Sequence, residues 1–134
     1  MTQSSNGAEG VRRVVITGLG VVTPLGIGVQ RNWEALLKGE SGIGQLTSFD
    51  PSDYPCKIAG EVKGFNPLDY VDKKDVKRLD RFTQFALAGA TMAMTDAAVC
   101  LSQETSHRFG CLIGVGFGGM PILERTHETL LRAG

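Results

Sequence analysis

Residues 11–22 read VRRVVITGLGVV, and this stretch decides the fold class. Residues 14–16 form an unbroken run of β-branched side chains, which is typical of a strand buried on both faces of a parallel sheet. Gly18 and Gly20 follow the run and give the backbone more conformational freedom where the strand ends. We predict that ordered structure begins here with a buried strand.

A second stretch of the same kind lies near the end of the sequence. Residues 108–119 read RFGCLIGVGFGG, and residues 111–115 predict another buried strand that runs into glycines. A final helix is predicted after it, with Pro121 near its start, because proline is tolerated in the first helical turn.

Two helices are predicted between these strands. Residues 29–39 read VQRNWEALLKG, with apolar residues at i, i+4, i+7 and i+8, and predict a short amphipathic helix that ends at its final glycine. A longer helix is predicted over residues 73–99, with one stripe of mostly small apolar side chains that allows close backbone approach. Residues 56–62 (CKIAGEV) read as an edge strand or a hairpin arm, and Asn66 with Pro67 predicts the start of a helical turn.

This order of elements defines an α/β fold. Strand, helix, irregular insert, long helix, strand and helix imply a largely parallel sheet with helices packed against it. In a sheet of only two strands, both strands are edge strands and each face of the sheet is small. The sheet is therefore predicted to be incomplete in this chain. Residues 1–10 are polar and predict a disordered leader, and residues 11–134 predict the folded segment.

Composition and charge exclude several classes of protein. Among the 134 residues, 42% are hydrophobic and 21% are charged, which predicts a globular chain. Fourteen basic and fourteen acidic residues give a formal net charge of zero, so the overall charge attracts neither nucleic acid nor an anionic membrane. No stretch reaches the roughly 18 apolar residues of a membrane span, and no signal-peptide core is present. Three scattered cysteines without CxxC spacing argue against disulfides or a metal site and favour a reducing, cytoplasmic setting.

Glycine is the unusual residue, with 18 among 134 where a share of about 7% is common. Gly114, Gly116 and Gly119 have the GxGxxG spacing of a dinucleotide-binding fingerprint, between a predicted strand and a predicted helix. The acidic residue that such sites place about 20 residues later would lie beyond residue 134. Dinucleotide binding through residues 114–119 is one alternative, and the other is that these glycines only permit tight turns and close packing.

Four blocks of the sequence match one family in order. They are RRVVITGLGVVTPLG (12–26), NWEALLKGESGI (32–43), RLDRFTQFALAGATMAMTDA (78–97) and GCLIGVGFGG (110–119). Together they resemble the N-terminal region of elongating β-ketoacyl-acyl-carrier-protein synthases, the type II condensing enzymes of fatty-acid synthesis. The ordered set covers nearly all of residues 11–134 and is far more specific than the glycine spacing alone.

The resemblance implies the N-terminal part of a thiolase-like fold, a layered αβαβα arrangement that acts as a homodimer when complete. Members of the family elongate fatty acyl chains by a decarboxylative Claisen condensation. An acyl group passes from acyl carrier protein to a cysteine nucleophile, malonyl-carrier protein loses CO2, and the resulting carbanion attacks the acyl thioester. No cofactor or metal is implied. The family's cysteine motif and its two histidines fall outside this sequence, so no catalytic residue is expected here.

The resemblance also places acyl binding at the last glycine motif. Phe117 matches the position that lines the deep end of the acyl pocket near the dimer interface, where an aliphatic residue is often found. An aromatic ring leaves room for fewer methylenes, each worth about 0.8 kcal/mol of burial, so the complete enzyme is expected to prefer shorter acyl chains unless the ring rotates aside. The alternative is a core phenylalanine that packs a helix against a strand.

A basic cluster stands at the start of the long predicted helix. Four side chains share one predicted helical face by their spacing of i, i+3, i+4 and i+7: Lys74, Lys77, Arg78 and Arg81. By the resemblance, the first three match the positions at which the family docks its acidic acyl carrier protein, and charge complementarity suits such a patch. The alternative is an ordinary solvated face with local ion pairs.

The remaining candidates are expected to be structural. Cys56 lies in a loop, Cys100 ends the long predicted helix and Cys111 lies in the second predicted strand, and each is expected to act as a small buried hydrophobe. His107 and His127 have no identifiable nucleophile or carboxylate partner and are expected on the surface or on a helix face. A further alternative for the whole chain is a catalytically silent relative of the condensing enzymes that acts as a dimer or an interaction partner.

Overall fold

A computed structural model describes residues 13–103 and 105–134. The predicted leader, residues 1–10, lies outside this part of the chain. The described elements, in chain order, are β1 Val22–Thr23, β2 Gly26–Ile27, α1 Val29–Leu37, β3 Ile43–Gln45, β4 Ile58–Gly60, a first 3₁₀ turn Pro67–Asp69, α2 Lys73–Val76, α3 Arg81–Asp96, a second 3₁₀ turn Ser106–Arg108 and α4 Met120–Ala133.

The strands of the described residues form two small antiparallel sheets. β1 pairs with β2 in a tight hairpin that places Val22 opposite Ile27. β3 pairs with β4 and places Gly44 opposite Ala59, which confirms that the sequence CKIAGEV contributes a hairpin arm. The described chain is therefore an α/β segment with short sheets.

The parallel sheet predicted from residues 14–16 and 111–115 is not formed in the described part of the chain. Neither segment is a strand, and Val14 is 94% exposed and Leu112 is 99% exposed. A β-branched or glycine-rich run becomes a buried parallel strand only when neighbouring strands accept its backbone hydrogen bonds and helices cover both faces. Because residues 13–103 and 105–134 provide no such neighbours, both runs stay outside any sheet.

The small side chains of α3 let the first glycine segment approach closely, as predicted. An ideal Cβ on Gly20 would overlap the carbonyl oxygen of Gly89 and lie 2.8 Å from its carbonyl carbon. Gly18 is equally crowded, since its ideal Cβ would lie 2.6 Å from the backbone nitrogen of Ala97. The segment therefore packs against α3 backbone to backbone, which only residues without a side chain allow.

The single long helix predicted over residues 73–99 is in fact two helices, α2 and α3. Residues 77–80 separate them, and Asp80 is extended, with φ −65° and ψ 156°. The prediction of one continuous helix was wrong because the spacing of side chains carries no signal for a local break in the backbone.

One buried amide ties α1 to the hairpin of β1 and β2. Asn32 is 6% exposed, and its Nδ2 donates to the carbonyls of Gly26 at 3.0 Å and Gly28 at 2.8 Å. Its Oδ1 accepts a hydrogen bond from the Thr23 hydroxyl. α1 then ends as predicted, with Gly39 in the left-handed region at φ +66°. The side chain of Asn32 thus fixes the hairpin at the start of α1.

Few large side chains are buried in the described residues. The buried apolar residues there are Ala35, Val71 and Ala88. The accessible surface is 11533 Å², where a compact monomer of this mass exposes about 6,800 Å². Wide apolar faces on α1, on α4 and on the two runs predicted as strands therefore face solvent. Within the described ranges, no helix has the length and apolar character needed to cross a membrane.

Candidate functional site

The three basic residues predicted to bind a partner lie close together and are exposed. Lys74 is in α2, and Lys77 and Arg78 follow that helix directly; we call these three residues the basic segment. Lys74 Nζ lies 3.9 Å from Asp72 Oδ2, but both side chains are about four-fifths exposed, so this ion pair is weak. The basic segment therefore presents its charge to solvent.

The predicted helical face of four basic residues is not formed. Of the basic segment, only Lys74 lies in α2 and the other two residues lie between α2 and α3, whereas Arg81 begins α3. Arg81 has a different role. Its guanidinium donates to the carbonyl of Val62 at 2.7 Å and lies over the ring of Phe85, 5.1 Å from the centroid. Arg81 thus holds the chain that follows β4 against α3. The break between α2 and α3 explains the difference, since the four residues do not share one helix.

The break itself is held by Gln84, a residue that the sequence reasoning missed. Its Nε2 donates to the carbonyl of Val76 at 3.0 Å and to the carbonyl of Leu79 at 2.9 Å. Carbonyls at a helix end lack intrahelical partners, so a side-chain amide can satisfy them. The available signal in the sequence was a polar amide inside a mostly apolar predicted helix.

The glycine loop, residues 114–119, leads directly into α4. Gly118 has φ +81°, a left-handed conformation that favours glycine. Phe117 is 76% exposed, so its ring packs no helix against a strand in the described chain.

The end of the glycine loop contacts the start of α3. An ideal Cβ on Gly119 would lie 2.8 Å from Cγ of Asp80, so glycine is needed there unless the carboxylate moves. Asp80 Oδ2 is buried and has no hydrogen-bond partner among the described residues. This contact brings the loop that carries Phe117 and the basic segment to the same end of α3.

A groove of about 870 Å³ lies between the start of α3 and α4. Its walls are mainly apolar, with Arg78, Asp80 and His127 among the polar residues that line it. His127 lies on a face of α4 and His107 is exposed in the second 3₁₀ turn, as predicted for both histidines. The groove thus continues from the basic segment along α4.

The prediction that the three cysteines are buried is wrong. Cys56, Cys100 and Cys111 are all exposed free thiols. Cys111 is uncovered because the sheet predicted around it is not formed, and Cys56 Sγ donates to the carbonyl of Ile58 at 3.4 Å. Among the residues that the structure describes, no group of three or more histidine, cysteine or acidic side chains could hold a metal ion.

A separate polar cluster joins the ends of β3 and β4. Glu61, directly after β4, accepts hydrogen bonds from the Thr47 amide at 3.0 Å, the Thr47 hydroxyl at 2.7 Å and the Ser48 amide at 2.9 Å. The hydrogen bonds from Thr47, followed by those from Ser48, lower the pKa of Glu61 from 4.5 to about 2. The ionised carboxylate therefore holds the loop after β3 in place.

The lowered pKa of Glu61 predicts a pH-dependent contribution to stability. Because the folded-state pKa lies below the unfolded value of 4.5, the contribution is complete above that value and is lost as the pH falls towards about 2. We expect Glu61→Gln to lower the midpoint of urea unfolding at pH 6 and to have little effect near pH 2.

Two other carboxylates make a difference measurement necessary. Hydrogen bonds from Arg31 and from Ser52 lower the pKa values of Glu40 and Asp50 respectively, so acid alone destabilises the wild type at several places. The difference in urea midpoint between wild type and Glu61→Gln isolates the contribution of Glu61. Glu124→Gln on the exposed side of α4 is the matched control. A difference that does not change with pH would contradict the prediction.

A comparison with known families assigns the chain that carries these features to one class of protein, the β-ketoacyl synthases. The family model described as "Beta-ketoacyl synthase, N-terminal domain" matches residues 11–133. The chain belongs to the β-ketoacyl synthase family, and the resemblance found in its sequence is confirmed.

Three similar curated proteins share the name 3-oxoacyl-[acyl-carrier-protein] synthase 2. The protein of Synechocystis sp. is 42% identical, that of Staphylococcus aureus (strain COL) is 44% identical and that of Coxiella burnetii is 46% identical, each over 123 residues. Each match covers 92% of this chain and 30% of the relative. The chain thus spans about 30% of the length of the curated relatives it matches.

A solved structure is similar to the described chain as well. It is described as "The ishigamide ketosynthase/chain length factor", with a TM-score of 0.73 and 30% identity over 92% of this chain and 30% of that chain. The backbone of the described chain is therefore similar to part of that structure.

Proposed function

We propose that this chain forms the N-terminal region of a 3-oxoacyl-[acyl-carrier-protein] synthase that elongates fatty acyl chains. The observation that carries the proposal is the identity of 42% to 46% with three synthases of that name. In the proposed reaction, an acyl group moves from acyl carrier protein to a cysteine thiolate, and malonyl-carrier protein loses CO2. The resulting carbanion attacks the acyl thioester and expels the thiolate. The segment contains none of the family's cysteine and histidine motifs, so its proposed roles are carrier-protein binding and shaping of the acyl pocket.

The proposal includes the layered αβαβα fold of the thiolase-like class, a cytoplasmic location and a homodimer for the complete protein. The TM-score of 0.73 with a ketosynthase structure supports the fold. The exposed apolar runs at residues 14–16 and 111–115 support it too, because further strands and helices would cover them in such a fold.

A chimeric enzyme tests the proposed reaction. Residues 11–133 of this chain replace the matched 123 residues of the Staphylococcus aureus relative, and condensation that depends on malonyl-carrier protein is measured. We expect activity within about tenfold of the unaltered relative, a loss of no more than about 1.4 kcal/mol in transition-state stabilisation. A folded chimera that does not condense would contradict the proposal.

Carrier-protein docking is assigned to Lys74, Lys77 and Arg78. Their exposure and their shared position beside the start of α3 support the assignment. An acidic carrier protein gains in encounter rate and in register from such a cluster, because opposite charges steer association and oppose wrong orientations.

Reversing two of these charges is expected to weaken docking. The double variant Lys77→Glu with Arg78→Glu should raise the Kd for acyl carrier protein at least about tenfold at low salt, with a smaller difference at high salt because of screening. Fluorescence anisotropy with labelled carrier protein measures it. The variant Lys38→Glu with Lys57→Glu makes the same change of charge on other elements, and equal losses for both variants would remove the assignment.

Phe117 is assigned to the end of the acyl pocket, where its ring would limit chain length. In the chimera, we expect Phe117→Ala to shift the preference towards longer acyl chains, by about fourfold in kcat/KM for each added methylene, since each is worth about 0.8 kcal/mol when buried. Product chain lengths are measured by mass spectrometry. Phe109→Ala, outside the glycine loop, is the control, and an unchanged profile for Phe117→Ala would contradict the assignment.

A second candidate function is that of a catalytically silent relative that acts as a dimer or interaction partner. The observation that favours it is the similar structure, whose description names a chain length factor beside a ketosynthase. The chimera does not test this candidate, because it takes its cysteine and histidine motifs from the relative. A complete protein that dimerises and binds carrier protein without condensation would favour it. Dinucleotide binding through residues 114–119 has less support, because no strand precedes these glycines in the described chain.

A further inference from the structure

We infer that Gln84 is a positioning residue for carrier-protein binding. It holds the backbone of Lys77 and Arg78 in the conformation that presents their side chains. The inference rests on the docking role proposed above. Gln84 lies in the first part of α3, outside the basic segment, and would act through that segment without contact with the carrier protein.

The geometry of the hydrogen bonds carries this inference. The carbonyl of Val76 lies immediately before Lys77, and the carbonyl of Leu79 lies immediately after Arg78. Gln84 Nε2 donates to both carbonyls, at 3.0 and 2.9 Å. A side-chain amide has two N–H donors, and both are used here to close the same short stretch of backbone from its two ends.

The stretch needs such support because α2 is short. α2 has four residues, and a helix of this length is unstable alone, since nucleation costs more than a few hydrogen bonds return. The basic side chains in and directly after α2 also repel one another. There are four of them: Lys73, Lys74, Lys77 and Arg78. Without the amide of Gln84, residues 77–80 can fray or continue the helix into α3, and either change redirects the basic side chains.

The break also decides which charges remain available. The side chains of Lys77, Arg78 and Arg81 are all exposed. Arg81, at the start of α3, is nevertheless engaged, since it donates to the Val62 carbonyl at 2.7 Å and lies over the Phe85 ring. Gln84 therefore holds in place the backbone that carries Lys77 and Arg78, separately from the structural arginine. A fixed backbone matters because carrier-protein binding would otherwise also bear the entropic cost of ordering this stretch of chain.

The test compares variants of the full chain that lack the amide. Gln84→Met keeps the length of the side chain and removes both donors, and Gln84→Ala removes the side chain but has the highest helix propensity. Binding of labelled acyl carrier protein is measured by fluorescence anisotropy at low salt, with circular dichroism as the check on folding. We expect the Kd to rise about fivefold in both variants, and to stay unchanged in Gln45→Met on the exposed strand β3.

A double-mutant cycle separates positioning from a general loss of stability. If Gln84 acts through Arg78, adding Gln84→Met to Arg78→Ala raises the Kd much less than Gln84→Met does alone. Additive effects would overturn the inference, and so would a loss of the wild-type circular dichroism in both Gln84 variants, since Gln84 would then support the whole fold.

The same measurements distinguish failure of the proposed docking from failure of the inference. If the wild-type chain does not bind, or if Lys77→Glu with Arg78→Glu has no effect at low salt, docking by the basic segment is wrong and the inference falls with it. If charge reversal weakens binding and the Gln84 variants bind as the wild type does, docking stands and positioning by Gln84 is wrong.

Discussion

Gly20→Val is expected to lower the free energy of unfolding by about 3 kcal/mol, at the upper end of the usual cost of overpacking. An ideal Cβ on Gly20 would overlap the carbonyl oxygen of Gly89 and lie 2.8 Å from its carbonyl carbon. Both atoms are backbone of α3 and cannot turn aside as the end of a flexible side chain can. The glycine segment must therefore move away from α3. Thermal unfolding followed by far-UV circular dichroism measures the loss.

The same contact provides the matched control from its other side. An ideal Cβ on Gly89 would lie 3.9 Å from the carbonyl oxygen of Gly20, which is ordinary van der Waals contact. Alanine is also favoured over glycine inside a helix by about 1 kcal/mol, so Gly89→Ala should be neutral or stabilising. Gly110→Ala, whose Cβ meets open space, is the second control. Equal midpoints for Gly20→Val and Gly89→Ala would show that the backbones do not approach as described.

Asn32→Asp is expected to cost about 3 kcal/mol at pH 7, because it removes two buried donors and places a carboxylate against two carbonyl oxygens. The carbonyls are those of Gly26 and Gly28, at 3.0 and 2.8 Å from Nδ2. Both would lose a partner in a site where Asn32 is 6% exposed. The loss should shrink at low pH, because a protonated acid regains one donor. Urea midpoints of Asn32→Asp and of the wild type, compared at pH 7 and at low pH, measure this change in the loss.

Gln45→Glu is the control for this substitution, since it replaces an amide by a carboxylate on an exposed side chain of β3. We expect its midpoint to change little, as for most surface substitutions. A loss for Gln45→Glu as large as that for Asn32→Asp would mean that added negative charge, and not the lost donors, causes the destabilisation.

The sequence predicted the local features of the fold well, because short-range chemistry determines them. The amphipathic spacing of α1 and its end at Gly39 both hold. Asn66 was predicted as a helix cap, and its Oδ1 accepts from the backbone nitrogen of Leu68 at 3.2 Å. Each of these depends on residues that are near one another in the chain, which a pattern can show.

Features that depend on distant partners could not be predicted in the same way. The β-branched run at residues 14–16 has the composition of a buried strand, but a strand also needs neighbours that its own sequence does not specify. The end of α2 depends on Gln84, and the place of Arg81 depends on the Val62 carbonyl, which lies 19 positions earlier in the chain. Side-chain periodicity contains no information about either hydrogen bond.

The candidate site was predicted through the family resemblance rather than through its chemistry. Lys77 and Arg78 are a common kind of exposed charge, and Phe117 is one of six phenylalanines. Only the match of four sequence blocks in order gave them roles. The contact between Gly119 and Asp80, which brings the glycine loop beside the basic segment, required the three-dimensional arrangement.

The wide exposed surface of the described chain determines how its unfolding should be measured. The slope of unfolding free energy against denaturant concentration scales with the surface that unfolding newly exposes. An unfolded chain of this mass exposes about 20,700 Å², so a chain with 11533 Å² already accessible newly exposes about 9,200 Å², against about 13,900 Å² for a compact monomer. Its slope is therefore expected to be shallower, and its transition broader, than those of a compact domain of the same mass. Long extrapolation to zero denaturant then magnifies small errors in the slope, and differences between variants are best compared near the midpoint of the transition.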